Sequence, residues 1–331
     1  MITRQQTVRQ AMRFQQPGRV PIVFWNRDQA EGDVLLYHLS LGVPGDGTPE
    51  QNLWDWQTNE WGYRLERLGD GTMGHPTQPY YAEAPEAGEI RVPALRETER
   101  MSAVSRFQDR CEDRYRLASL DLSGFTVYTL LRGFENAMQD FVLREPAFAD
   151  LMDAILHFEC DLIAMAARYG FDGIHFADDW GTQSGMMVSP PLWRSLFKPR
   201  YRRQFAWAHE QRLDVWYHCC GNFAPIVEDF HEIGVDVLNI SQPNVMDLEY
   251  VSARLRGKQC FMMPLSYQTT SIQGTPPEIL EEAGRMYRLL ATRDGGFIGY
   301  VEEYGCMGMS ADNYRACAIA FRQLQPDLLR D

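Results

Sequence analysis

The sequence lacks several features that define whole classes of protein. It has no run of about 18 uninterrupted apolar residues, the shortest that spans a bilayer as a helix, and no apolar signal-peptide core at its start. Basic charge is scarce: 32 Lys and Arg against 45 Asp and Glu leave a net charge of −13, which argues against a phosphate-backbone ligand and so against nucleic acid as a partner. The densest basic run, KPRYRR from Lys198 to Arg203, reads as the solvated face of a helix. No strand-like run is followed by G-x-G-x-x-G, so a doubly wound nucleotide-binding sheet would lack its phosphate turn. Internal repeats and low-complexity tracts are also missing. The first 27 residues contain no acid, as in a transit peptide, but TRQQ at 3–6 fits a helix capping box. A short amphipathic helix feeding a first strand, in a cytoplasmic protein, is the expectation.

Cysteine is present but not in scaffold numbers. Seven cysteines in 331 residues are odd in count and irregular in spacing, so a disulfide framework is excluded; small buried hydrophobe, metal ligand and nucleophile remain.

What the chain does have is a rhythm. Apolar, β-rich runs recur at 19–25 (RVPIVFW), 114–120, 171–179 (FDGIHFADD), 213–220 (LDVWYHCC), 235–241, 259–265 and 295–303 (GGFIGYVEE), with helical patterns between most of them. The clearest helix has Phe148, Leu151, Met152, Ile155 and Leu156 at helical spacing and Gly170 as its stop. Alternating strand and helix implies parallel strands joined by helical crossovers. The spacing predicts one domain over 1–331, a (β/α)8 TIM barrel whose eighth strand falls near FTVYTLL (125–131). Residues 26–113 break the rhythm and are rich in Trp, Gly and Pro, which predicts a cap over one mouth of the barrel. Within it GDGTMGHP (69–76) reads as a plain turn, not a phosphate cradle, because no helix start follows.

Side chains alternate along a strand, so His218 and Cys220 point one way and Cys219 the other. Gly221 and Asn222 close the run, which places the pair at the C-terminal end of a strand, where such barrels build their sites. Two ligands do not hold a zinc ion. Cys306, in VEEYGCMGMS just past another apolar strand, is the candidate third, and a His/Cys/Cys set leaves one tetrahedral position open for substrate. On pattern alone, half-buried barrel cysteines beside a structural histidine remain the competing reading. Asp178 and Asp179 end the 171–179 strand and are candidate catalytic carboxylates, unless they cap the next helix. Glu303 is a candidate extra ligand or base.

These stretches, with RQAMRFQQPGRVPIVFW, LRGFENAMQDFV, YHCCGN and IQGTPPEI, resemble the uroporphyrinogen decarboxylase superfamily and, within it, the zinc-dependent methyltransferases that work with corrinoid proteins. The resemblance runs through nearly the whole chain in the right order. It implies a (β/α)8 barrel with its funnel at the strand C-termini, zinc on His218, Cys220 and Cys306, and a separate corrinoid (cobalamin) protein docking over the mouth. True decarboxylases of this group open with an arginine-rich R-Q-A-G-R-Y motif that grips substrate carboxylates. Here the region reads FWNRDQAEGDVLLYHL, with only Arg27 nearby, so tetrapyrrole decarboxylation loses its clamp.

The implied activity is methyl transfer between a small donor and corrinoid cobalt; transfer onward to tetrahydrofolate or a thiol is the alternative direction, and a silent binding barrel the alternative class. An aryl methyl ether is the expected donor, because rings cluster in the cap and strand ends (Trp25, Trp54, Trp56, Trp61, Tyr80, Tyr81, Trp180). Trp25, Trp180, Gln183 and Asn222 are the expected substrate contacts, and Asp178 or Asp179 the proton source for a departing phenolate.

Overall fold

In the computed structural model, which describes residues 2–25, 27–40, 59–66, 75–76, 78–143 and 146–329, eight parallel strands form a nearly closed barrel. They are β1 (Ile22–Phe24), β2 (Val34–His38), β3 (Tyr115–Ser119), β4 (Gly173–Ala177), β5 (Asp214–Cys219), β6 (Val237–Ile240), β7 (Cys260–Pro264) and β8 (Phe297–Val301). Each strand pairs with its neighbour in chain order from β2 to β8, and β8 pairs with β1. A backbone bond from Asp33 N–H to Ile22 O, 2.8 Å, ties β1 to the start of β2.

Seven of these strands fall inside the runs read from the sequence. The eighth does not. Residues 124–132 form a helix, and the missing strand is Val34–His38, inside the span expected to be cap. The helix forms there despite its β-branched and aromatic residues because Asp178 accepts hydrogen bonds from its first N–H groups, Phe125 at 3.2 Å and Thr126 at 2.6 Å, satisfying donors that a helix start leaves open.

Two apolar layers hold the fold. The outer one lies between strands and helices. Helix Pro146–Arg168 buries Phe148, Leu151, Met152, Ile155 and Leu156 along one face, and Gly170 follows it at φ 74°. The inner layer fills the barrel: Val23, Val34, Leu36, Tyr115, Leu117, Trp216, Val237, Cys260, Met262, Ile298 and Tyr300 pack with Val8, Ala11 and Met12 of the N-terminal helix. That helix, Arg4–Met12, opens with a capping box in which Thr3 and Gln6 exchange bonds of 3.0 and 2.9 Å. Its apolar side stops the N-terminal end of the barrel; burying each large residue there contributes roughly 1.5–3 kcal/mol.

Of the expected cap, Trp61 and Tyr63 are buried, and Trp61 lies edge-on to Phe158 of the outer helix, 5.4 Å between ring centres. Trp54, Trp56 and most of GDGTMGHP lie outside the described residues. The KPRYRR run is spent on ion pairs with Asp153, Asp229 and Glu232. No helix among the described residues is long and apolar enough to cross a membrane.

Candidate metal centre

The site is made where the loops after β4 and β5 cross. Gly181 and Gly221 touch there: a Cβ on Gly221 would lie 2.1 Å from the carbonyl carbon of Gly181, and one on Gly181 2.4 Å from the Asn222 nitrogen. Only glycine at both positions permits the crossing, and Gly221 also takes φ 74°. Backbone bonds then extend the ladder past the strand ends, from Asp178 N–H to His218 O (3.1 Å), Gly181 N–H to Cys220 O (3.2 Å) and Asn222 N–H to Thr182 O (2.8 Å). This continuation sets Asp179 beside Cys220, whose N–H donates to Asp179 Oδ1 at 3.0 Å.

His218 and Cys220 share a face, as their spacing requires, while Cys219 packs on the opposite side, fully buried. Asn239 on β6 orients the imidazole. Its amide donates to Met262 O at 2.8 Å, so its Oδ1 is the atom that meets His218 Nδ1, at 2.6 Å. That contact turns Nε2 toward Cys220 Sγ, 3.3 Å away, with Asp179 Oδ1 at 3.8 Å. One ligand atom from each of Asp179, His218 and Cys220 lies within 4.8 Å of the others. Burial, and then the Asp179 carboxylate, push the Cys220 thiol well up from its ordinary value; a bound cation reverses that preference and favours thiolate.

Cys306, the expected third ligand, sits on an exposed one-turn 3-10 helix, Gly305–Met307, outside this convergent group, whose third member is Asp179. The chain turns outward after β8 because the half-buried Glu302 carboxylate accepts from both Tyr300 (2.5 Å) and Tyr304 (2.8 Å), which anchors Tyr304 and leaves the following turn to solvent.

Asp178 and Trp180 are placed elsewhere than their expected roles require. Asp178 is 1% exposed and, besides the two helix N–H groups, accepts from the Tyr201 and Tyr217 hydroxyls. Burial pushes its carboxyl up to about 7. Trp180 is 0% exposed; it stacks on Phe125 at 4.2 Å and donates its indole N–H to Tyr217 Oη at 2.8 Å. Both residues face the outer core, because alternation turns Asp179 inward and its two neighbours outward.

Trp25 does reach the mouth, against Tyr300 at 5.9 Å and His175 at 5.0 Å. Gln183 belongs to an amide chain across the rim: Gln268 donates to Gln183, Gln183 to Gln242 and Gln242 to Tyr267, at 3.0, 3.0 and 2.6 Å. Asn222 caps the next turn through Ala224 N–H at 3.2 Å. Arg27 pairs with Asp28 and lies over the Tyr314 ring, 5.1 Å from its centre. Glu302, not the expected Glu303, continues the inward alternation of Ile298 and Tyr300, both in the inner layer. Burial raises its carboxyl.

A (β/α)8 barrel with a nitrogen, a sulfur and a carboxylate converging at the C-terminal mouth of its strands has its site where barrel enzymes carry theirs. The chain belongs to the uroporphyrinogen decarboxylase (URO-D) family, which it matches over residues 72–313. Its fold is similar to that of a methyltransferase from Methanosarcina mazei, at 14% identity over 97% of this chain and 98% of that one, with a TM-score of 0.75. A chitinase from Chromobacterium violaceum is more distant, at 11% identity over 93% and 100% of the two chains and a TM-score of 0.46. No curated protein matches the sequence closely enough to count as a relative.

Proposed function

We propose that this protein is a zinc-dependent methyltransferase that moves a methyl group between a small donor and a corrinoid carried by a partner protein. The observation that carries the reading is the convergence of His218 Nε2, Cys220 Sγ and Asp179 Oδ1. Nitrogen, thiolate and carboxylate are a donor set that zinc takes, and three protein ligands leave a fourth position for substrate. The Asn239 contact that orients His218 is the support such a ligand needs. Bound zinc would act as a Lewis acid on the atom that releases or accepts the methyl group.

The chain's own residues do the rest. Asn239 presents Nε2 of His218 to the site, Asp179 holds the Cys220 backbone, and Trp25 and Tyr300 line the mouth beside them. Of the carboxylates Asp178 and Asp179, Asp179 is the one open to the mouth, 41% exposed in its side chain, and as a metal ligand it does not also donate a proton. An aryl methyl ether remains the donor we favour, resting on Trp25 and Tyr300 of β8 rather than on a ring-lined cap. The Arg27 pairing supports methyl transfer over tetrapyrrole decarboxylation, because the one arginine near the family's clamp position is engaged elsewhere.

Metal analysis after zinc loading tests the reading. Wild type should hold one zinc per chain, and His218→Ala and Cys220→Ala should lose it with their fold intact by circular dichroism. Wild type without stoichiometric zinc would sink the proposal. Comparing Asp179→Ala with Cys306→Ala identifies the third ligand. Methylation of reduced corrinoid protein, followed by absorbance, separates an enzyme from a silent binding barrel.

A further inference from the structure

The mouth holds a second polar cluster that the metal centre does not use. His38, Ser119 and His175 stand in register on three neighbouring strands, β2, β3 and β4, and Asp121 follows β3. His38 Nδ1 lies 2.5 Å from Asp121 Oδ1, Asp121 N–H donates to Ser119 Oγ at 3.1 Å, and Ser119 Oγ lies 3.2 Å from His175 Nδ1. The Trp25 ring packs against both imidazoles, 6.4 Å from His38 and 5.0 Å from His175. On its other side the His175 ring is 6.2 Å from that of His218. The cluster therefore adjoins the metal centre and shares its aromatic wall.

Two atoms in it are unsatisfied. Asp121 Oδ2 and His175 Nε2 are buried and have no hydrogen-bond partner, on residues 8% and 1% exposed. Such atoms are rare in folded proteins and costly to leave bare. By contrast, Asp33, Asp140, Asp172, Asp214 and Asp229 are buried against arginine, and Asp178 against two hydroxyls and two backbone N–H groups. No lysine or arginine among the described residues is paired with Asp121. With Nδ1 of His175 turned to Ser119, its Nε2 faces away from β3, on a ring that lies beside those of Trp25 and His218.

We propose that this cluster is a ligand subsite for an uncharged hydrogen-bond donor, a hydroxyl or an amine N–H, carried on a small planar ring. Asp121 Oδ2 accepts from the donor, His175 Nε2 bonds the same group, and Trp25 packs on the ring. A carboxylate does not suit the subsite, because its charge would meet that of Asp121 with no guanidinium to offset it. The use of the subsite rests on the methyl-transfer reading, in which a ring held here would present its other edge to the metal centre. Its ligand chemistry does not.

The test uses metal-free protein, with phenol, anisole and benzoate as probes, calorimetry for affinity and 15N-histidine NMR for location. Phenol should bind about 10-fold more tightly than anisole, the usual margin for a hydrogen bond to a charged acceptor, benzoate should bind weakest, and phenol should shift the His175 Nε2 resonance. Asp121→Asn, close in shape, should shrink the phenol preference; if that variant fails to fold, the ranking on wild type and the His175 shift decide alone. Equal binding of phenol and anisole, tight benzoate binding, no phenol binding, or a phenol preference undiminished in Asp121→Asn would each overturn the proposal and leave a buried water as the partner of both atoms. Because neither zinc nor corrinoid enters the experiment, failure of the methyl-transfer reading shows separately.

Discussion

The two ends of this barrel treat buried charge in opposite ways. At the N-terminal end Asp33, Asp172, Asp214 and Asp236 are each answered by a cation, although burial still lifts Asp214. Asp172 accepts from Gln5 at 2.8 Å, Arg9 at 3.1 Å and Arg116 at 3.2 Å, and Asp236 accepts from Arg13, His209 and Val215 N–H at 2.9, 2.8 and 2.8 Å. Burial works against ionisation of both groups, and the bonds from Arg116 and His209 outweigh it, so both stay below the usual carboxylate range. At the mouth, Asp121 keeps a bare oxygen and Asp179 is half open, while burial outweighs the tyrosine bonds to Glu302 and lifts its carboxyl. The same fold and chemistry give an anchor where charge is compensated and a reactive surface where it is not.

The comparison breaks first at its anchored end. Asp172→Ala leaves Arg116 and Gln5 without their partner and should cost about 3 kcal/mol of stability, the scale for breaking a mostly buried pair, with zinc stoichiometry unchanged. Chemical denaturation beside metal analysis checks both halves. A loss of zinc with no loss of stability would show that the two ends are not separate.

Glu159 offers an intermediate case. It is buried on the outer helix Pro146–Arg168, accepting from Gly124 N–H at 2.8 Å and from Gln204 at 2.5 Å. Burial outweighs these bonds and pushes its carboxyl up to about 8. A raised value means that the folded chain keeps a proton the unfolded chain has lost. Stability is therefore greatest at low pH and is lost as pH rises toward about 8, by at most about 1.4 kcal/mol per pH unit. Glu159→Gln has no proton to lose, so its stability should fall less between pH 5.5 and 8, by about 2–3 kcal/mol over that range. Parallel slopes for the two proteins would contradict the assignment.

The smallest effect sharpens the mouth. Asn239→Ala removes the group that orients His218 together with its bond to Met262 O, and should weaken zinc binding about 10–100-fold, with a smaller loss of melting temperature than Asp172→Ala. Unchanged zinc affinity would mean that His218 is held by packing alone.

Most of the barrel was legible in the sequence because its strands alternate with helices at regular intervals. Val34–His38 escaped because all five of its residues are buried, so no alternation marks it, and only a one-turn 3-10 helix, Gln29–Glu31, separates it from β1. FTVYTLL misled because its β-forming residues are overruled by a tertiary partner, Asp178, some fifty positions away. In the site, period-two alternation was enough to pair His218 with Cys220. The approach of Asp179 was not legible, since it depends on two glycines 40 residues apart touching each other. Trp180 was misplaced for a related reason: an aromatic beside paired carboxylates looks the same in sequence whether it lines a mouth or fills a core.

The helix that stops the N-terminal end has a consequence for the order of events. With Val8, Ala11 and Met12 packed into the inner layer, the described residues leave the barrel to be entered from its C-terminal mouth. On the proposed methyl-transfer function, a small donor and a macromolecular corrinoid carrier would both reach the centre from that side, and the larger of them would cover the opening. The donor would then enter first and its product leave last, or the two partners would alternate in separate half-reactions. Steady-state kinetics with both reactants varied would show a compulsory sequence, and excess carrier should inhibit by shutting the donor out.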